Sequence, residues 1–325
     1  MKLASYLVDG HPTIGIKVDD ATIAPLSSVW TGGGPAPRDM IELIESWPAA
    51  PQDTPRSGAD GAEPIERIDT ESRWLPPVPR PSKMMGVAAN NKAIFELASF
   101  APDHPAIFSY PPSALTGHRR PIELRTEYGL THPEPELGVV IGRRTKRITV
   151  DEALDAVFGY TIVDDVTSPT LKSGDTLVIP RSSSSSLGTG GRVDPDAPPP
   201  GFEHGDMQLT YHARSKGTDT FAPCGPWIVT RDEIEDPNAL AVTLTIDDEL
   251  CMEDNTGNLM YSVAEVIAHA SSYFTLEPGD IIHVGTAGRG KYRLRDLDYQ
   301  QRDRSERTIT IDAIGSLVNP IRCVG

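Results

Sequence analysis

The stretch His132-Pro-Glu-Pro-Glu-Leu-Gly-Val-Val-Ile-Gly142 constrains this chain more than any other. Pro133 and Pro135 push the residues before them into extended backbone. Side chains on such a backbone repeat every second residue, so Glu134 and Glu136 are expected to point the same way. Leu137, Val139, Val140 and Ile141 then read as a strand buried on both faces. Two like charges at the mouth of an apolar strand are costly unless a cation, a basic side chain or a proton neutralises them. The rest of the chain must supply that neutraliser.

With 325 residues the chain can bury a large core, as one big domain or two smaller ones. A net charge of -16 argues against nucleic acid and anionic membrane as partners. No apolar run approaches the roughly 18 residues of a membrane span. Asp9 and Gly10 interrupt the amino terminus too early for a signal peptide. Cys224, Cys251 and Cys323 lack metal-like spacing, and their odd number suits a reducing cytoplasm, the expected location. The 30 prolines and 28 glycines predict many short strands and long loops, not a helical bundle.

Asp9-Gly10 signals a hairpin within an alternating segment over 1–30, and a second turn is expected at Asp19-Asp20. A short helix is predicted over Pro37–Trp47. Residues 1–75 are expected to form a small amino-terminal subdomain with a Pro-rich connector, and 76–325 the main domain. Its first strand is Lys83–Ala89, followed by a helix from Lys92 to Phe100. Thr149-Val-Asp-Glu152 and Ser262-Val-Ala-Glu265 are capping boxes, each opening a helix. The Tyr160–Val166 run is rich in β-formers and ends in two acids. An insertion at 172–206, with five consecutive serines and a triple proline, is either a lid over a site or a merely mobile loop. The sum is a strand-dominated α+β protein.

Glu134, Glu136 and Asp165 form the sharpest constellation. Three carboxylates without a cysteine suit a hard cation such as Mg²⁺, Mn²⁺ or Ca²⁺; the plainer alternative is a solvent-exposed acidic turn. On a strand Asp164 and Asp165 face opposite ways, so only one can join the glutamates. Gly285-Thr-Ala-Gly-Arg-Gly-Lys291 imitates a phosphate loop, but Tyr292 stands where a Ser or Thr should hold Mg²⁺.

Several segments occur in order: Glu134–Gly142, Gly159-Tyr-Thr-Ile-Val-Asp-Asp-Val166, Lys216-Gly-Thr-Asp-Thr-Phe-Ala-Pro-Cys-Gly-Pro-Trp-Ile-Val229, Leu276-Glu-Pro-Gly-Asp-Ile-Ile282 and Gly285-Thr286. This series resembles the fumarylacetoacetate hydrolase superfamily from about residue 83 to the end. The resemblance implies a mixed β-sandwich roll, a small amino-terminal subdomain and a homodimer. It implies that Glu134, Glu136 and Asp165 hold a divalent metal, that Lys216 sits beside metal and substrate, and that Gly285 and Thr286 hold a substrate carboxylate.

Two departures stand out. Where family hydrolases carry a water-activating His–Glu pair, Lys92 occupies the histidine position and Phe95 the glutamate position, with Glu96 one residue later. Lys92 and Glu96 are therefore either a substitute catalytic pair or an ordinary helix-surface ion pair. Thr167-Ser-Pro-Thr170 replaces the family's Ser-Ala-Arg-Asp run. The leading expectation is a metal-dependent hydrolase, with magnesium as the first choice, cleaving a C–C bond in a 1,3-diketone or acylpyruvate-like acid. Its alternatives are a keto–enol tautomerase or 2-oxo-acid decarboxylase on the same site, or a non-catalytic metal-stabilised binding protein.

Overall fold

The computed structural model describes residues 1–19, 22–30, 34–47, 73–96, 102–179 and 207–325. Residues 180–206 of the insertion, most of the connector and the end of the expected Lys92–Phe100 helix lie outside them.

Among the described residues the largest sheet runs, in spatial order, Thr22–Pro25, His11–Asp19, Lys2–Val8, Ala222–Thr230, Val157–Asp164, Pro135–Ile141, Ile281–Thr286, Met84–Ala88 and Ala106–Tyr110, with Leu115–Thr116 pairing Ala222–Thr230 to the side. The amino-terminal hairpin is hydrogen-bonded into this sheet through Lys2 and Leu3, opposite Val229 and Ile228. A second sheet of five strands orders Glu249–Asn255, Ala241–Ile246, Glu306–Ile311, Gly315–Val324 and Ile122–Arg125. The fold is strand-dominated α+β, with mixed pairing: Ile281–Thr286 lies antiparallel to Pro135–Ile141 and parallel to Met84–Ala88.

The strand after the paired glutamates is the axis of the molecule because both of its faces are covered. Leu137, Val139 and Ile141 pack into the core shared with the second sheet and the helix Val263–Tyr273. Val140 belongs to the opposite core, beside Met40, Leu43 and Ile44 of the helix Met40–Ser46. Each such buried aliphatic side chain stabilises by about 1.5–3 kcal/mol, which fixes the register of the strand and so the position of the carboxylates before it.

Both capping boxes form. Glu152 accepts from the Thr149 backbone N–H, and Glu265 from that of Ser262. The Val263–Tyr273 helix buries Val266, Ile267 and Ala270 and stops where Phe274 turns extended. The helix after Gly86 spans Lys92–Phe95 and is capped by the Asn91 side chain. At the start of the insertion, Thr176–Ile179 is a strand, and it pairs with Met207–Thr210.

Candidate active site

Three segments converge at one end of the central strands. Pro135 pairs with Asp164 in register, which brings the ends of the Pro135–Ile141 and Val157–Asp164 strands together. The Asp165 N–H donates to the Glu134 carbonyl at 2.9 Å, extending that pairing past the strand ends. The short helix Ala213–Gly217 then delivers Lys216 from the far side of the insertion.

Lys216 Nζ donates to Asp165 Oδ2 at 2.5 Å, to Thr167 Oγ1 at 2.7 Å and to Glu134 Oε2 at 3.0 Å. All three N–H bonds of the ammonium are thereby used. Burial works to lower the lysine pKa, but Asp165 and Glu134 outweigh it and hold the group charged, above its usual range. Burial also opposes ionisation of Glu134, yet Lys216 and His132 keep its carboxyl below the ordinary value. Asp165 responds the other way: burial, with Glu134 and Glu136 nearby, pushes its carboxyl up to about 7 against the pull of Lys216.

Glu136 has a different partner. His283 Nδ1 lies 2.7 Å from Glu136 Oε2, and the Gly285 N–H donates to the same oxygen at 2.7 Å. The two glutamates thus meet different nitrogen donors. A register shift makes the double contact possible: His283 stands opposite Gly138, but Thr286 stands opposite Glu136, three residues on one strand against two on the other. Gly285 absorbs the irregularity at φ +121°, where a Cβ would also lie 2.7 Å from that of Asn90. His283 Nε2 is 2.9 Å from the Tyr110 hydroxyl, and Phe108 packs its edge against the ring. Gly86 leaves room for that ring, since a Cβ there would overlap it.

The chemistry of this donor set fits a cation. Ligand atoms of Glu136, Asp165 and His283 all lie within 4.8 Å of one another. Asp165 Oδ1 is buried and has no hydrogen-bond partner, a costly state for a carboxylate oxygen unless a cation meets it. Glu134 is not in that group, and its Oε2 accepts from the Lys216 ammonium.

Gly285 and Thr286 stand beside Glu136, and the other expected pair falls elsewhere. Gly285 turns its N–H to Glu136, and the Thr286 hydroxyl donates to the Ala287 carbonyl at 3.1 Å. Lys92 is exposed, with Nζ on the Gly257 carbonyl at 3.0 Å, and Glu96 is exposed beside it. The structure does not bring that pair to the carboxylates. The buried neighbours Asn90 and Asn91 reach the site strand instead: Asn90 Nδ2 donates to the Val284 carbonyl and Asn91 Nδ2 to that of Thr286. Asp254 accepts from Asn91 and from the Gly288 N–H, holding the turn after Thr286 in place. Thr167, in the segment that departs from the family run, accepts from Lys216 and donates to the Asp165 carbonyl.

His283, Tyr110, Asn90 and Asn91 escape a reading of the sequence. The one available signal is a histidine within an apolar strand, two residues before Gly285-Thr286. A cavity of about 720 Å³, lined by Trp47, Phe158, Tyr160 and Arg231 at the opposite end of the Val157–Asp164 strand, contains none of these groups.

Comparisons with known proteins give the family. Residues 83–322 match the family model described as fumarylacetoacetate (FAA) hydrolase, C-terminal. An oxaloacetate tautomerase from Bacillus subtilis is 32% identical over 259 residues, 78% of this chain and 74% of that protein. A relative from Burkholderia multivorans is 33% identical over 210 residues, 64% of this chain, and the match spans only 63% of its length. A maleylpyruvate hydrolase from a Sphingobium species, solved with manganese(II) and pyruvate, superposes with a TM-score of 0.68 at 26% identity, covering 100% of both chains. No described helix is long and apolar enough to cross a membrane.

Proposed function

The chain belongs to the fumarylacetoacetate hydrolase family, and from that premise we propose that it is a divalent-metal-dependent enzyme that interconverts the keto and enol forms of a small 2-oxo acid. The observation that carries the reading is the orphaned, buried Asp165 Oδ1 beside Glu134, Glu136 and the Lys216 ammonium. Glu134, Glu136 and Asp165 would hold the cation. A divalent cation there would supply Lewis-acid stabilisation of the negative charge that an enolate develops.

The chain's own groups would stabilise the enolate and hold the substrate. Lys216 serves as the resident counter-charge of the carboxylates. Its Nζ, held by Asp165 Oδ2, Glu134 Oε2 and Thr167 Oγ1, would place a positive charge beside the oxygen that becomes negative as the enolate forms. Thr286 and the backbone turn around it offer donors to a substrate carboxylate. Exclusion of water from so buried a site strengthens each of these contacts.

Tautomerisation takes precedence over hydrolysis because Lys92 and Glu96 lie exposed, with Lys92 turned to Gly257. The relation to the oxaloacetate tautomerase supports the same choice. C–C bond hydrolysis is the second reading, favoured by the likeness to the maleylpyruvate hydrolase; it draws on the same enolate stabilisation and adds a water. Magnesium or manganese is the proposed ion, and a homodimer in the cytoplasm the proposed form.

The test is a panel of oxaloacetate, acylpyruvates and ring-cleavage diene acids, assayed with Mg²⁺, with Mn²⁺ and after exhaustive chelation. Enol–keto exchange of oxaloacetate that disappears with EDTA and returns with the ion is expected. Undiminished turnover in the chelated protein would overturn the metal mechanism. Release of two carbonyl fragments from an acylpyruvate, without faster tautomerisation, would select hydrolysis.

A further inference from the structure

Two N–H groups address the same oxygen of Glu136: the backbone of Gly285 and the ring of His283, each at 2.7 Å. The second oxygen of Glu136 remains for a cation. His283 is fully buried, and its orientation is fixed from three sides. Tyr110 holds Nε2 at 2.9 Å, Phe108 packs its edge on the ring, and Gly86 has no side chain to displace it. Tyr110 itself is buried, at 6% exposure. No other described group bonds both Tyr110 and Glu136.

We infer that His283 is a positioning residue for metal binding, the middle of a buried Tyr110–His283–Glu136 chain that aims the free oxygen of Glu136 at the cation. This rests on the metal site proposed above. The physical reason is general. A ligating carboxylate that can rotate presents a blurred target to a metal, and an outer hydrogen bond that fixes one oxygen fixes the other. His283 acts through Nδ1–H as a donor, so it stands outside the coordination sphere. In that tautomer the Tyr110 hydroxyl donates to Nε2, and both ring nitrogens of His283 have a partner.

The readout is Mn²⁺ affinity by calorimetry, which needs no substrate. His283→Leu is expected to weaken binding about 10- to 100-fold, the usual effect of losing an outer-shell partner. His283→Asn, whose amide N–H can replace Nδ1–H, is expected to recover most of the loss. Tyr110→Phe keeps the packing and removes only the hydroxyl, so it guards against a variant that fails to fold; a smaller but measurable weakening is expected. Gly86→Ala supplies a coupled test. It should weaken Mn²⁺ binding when His283 is present and have a smaller effect when combined with His283→Ala, which leaves only the Phe108 ring, also close to such a Cβ, to displace.

Equal Mn²⁺ affinity in folded His283→Leu overturns the inference while leaving the metal site intact. Absence of Mn²⁺ binding by the unaltered protein overturns both together. A third result is spectroscopic: ¹⁴N coupling to bound Mn²⁺ that disappears in His283→Leu would make His283 a ligand, and would overturn its role as an outer donor.

Discussion

Asp164 and Asp165 are adjacent, yet their carboxylates serve opposite sides of the strand end. Asp165 meets Lys216 at 2.5 Å. Asp164 accepts from the Tyr299 hydroxyl at 3.0 Å and lies 3.2 Å from the Arg307 guanidinium, with neither charged partner exposed to solvent. Its other oxygen takes the Glu134 N–H at 2.8 Å. One acid is poised for chemistry and the other braces the backbone that carries the first glutamate.

Different outcomes are expected for the two sides. Arg307→Leu leaves Asp164 as an uncompensated buried charge and should lower stability by about 3–5 kcal/mol, measured by urea denaturation. Asp165→Asn should abolish Mn²⁺ binding in calorimetry with a stability change of about 1 kcal/mol or less. A large stability loss in Asp165→Asn with metal binding preserved would reverse these assignments.

Lys216→Met should leave a folded protein that still binds Mn²⁺ but turns over oxaloacetate about 10²- to 10³-fold more slowly, the range seen when one donor to a developing anion is removed. Stopped-flow enol–keto exchange checks the rate and calorimetry checks the metal. Loss of metal binding at unchanged turnover would contradict the role given to the ammonium.

Lys92→Met and Glu96→Gln should leave turnover unchanged and stability within about 0.5 kcal/mol, since both side chains are exposed. A marked fall in kcat for either variant would restore them to the catalytic machinery and favour hydrolysis.

His118 gives a pH signature independent of the site. It is buried, accepts the Val318 N–H on Nδ1 at 3.1 Å, and meets the Trp74 ring edge-on at 4.8 Å between centroids. Burial pushes its pKa from 6.5 down to about 3. Between those values the unfolded chain binds the proton and the native one does not. Stability is therefore fully present above about 6.5 and is lost as pH falls toward 3, by about 5 kcal/mol at order of magnitude. Urea midpoints across this range should fall less steeply for His118→Asn than for the unaltered protein.

Glu134 and Asp165 were legible because prolines precede the strand and a β-rich run ends in two acids, whereas Lys216 was expected beside them only through the family resemblance. Burial of the Pro135–Ile141 strand on both faces followed from its unbroken aliphatic run. His283 was not legible. Alternation within Ile281–Thr286 says only that the strand is buried, and the register shift that turns His283 toward Glu136 arises from pairing with a distant strand. Arg307 was hidden for a related reason: its strand alternates, and nothing local tells which face meets Asp164. Lys92 and Glu96 show the converse limit, since spacing along a helix cannot say which way a single turn points.

The empty space at Gly86 has a consequence for descent. Positions 86 and 283 lie on paired strands, and the imidazole fits only because nothing projects from the glycine. Any cousin that acquires a bulkier residue at the first position must already have surrendered the ring at the second. The two should be inherited as a unit, and chains keeping one without the other should be rare.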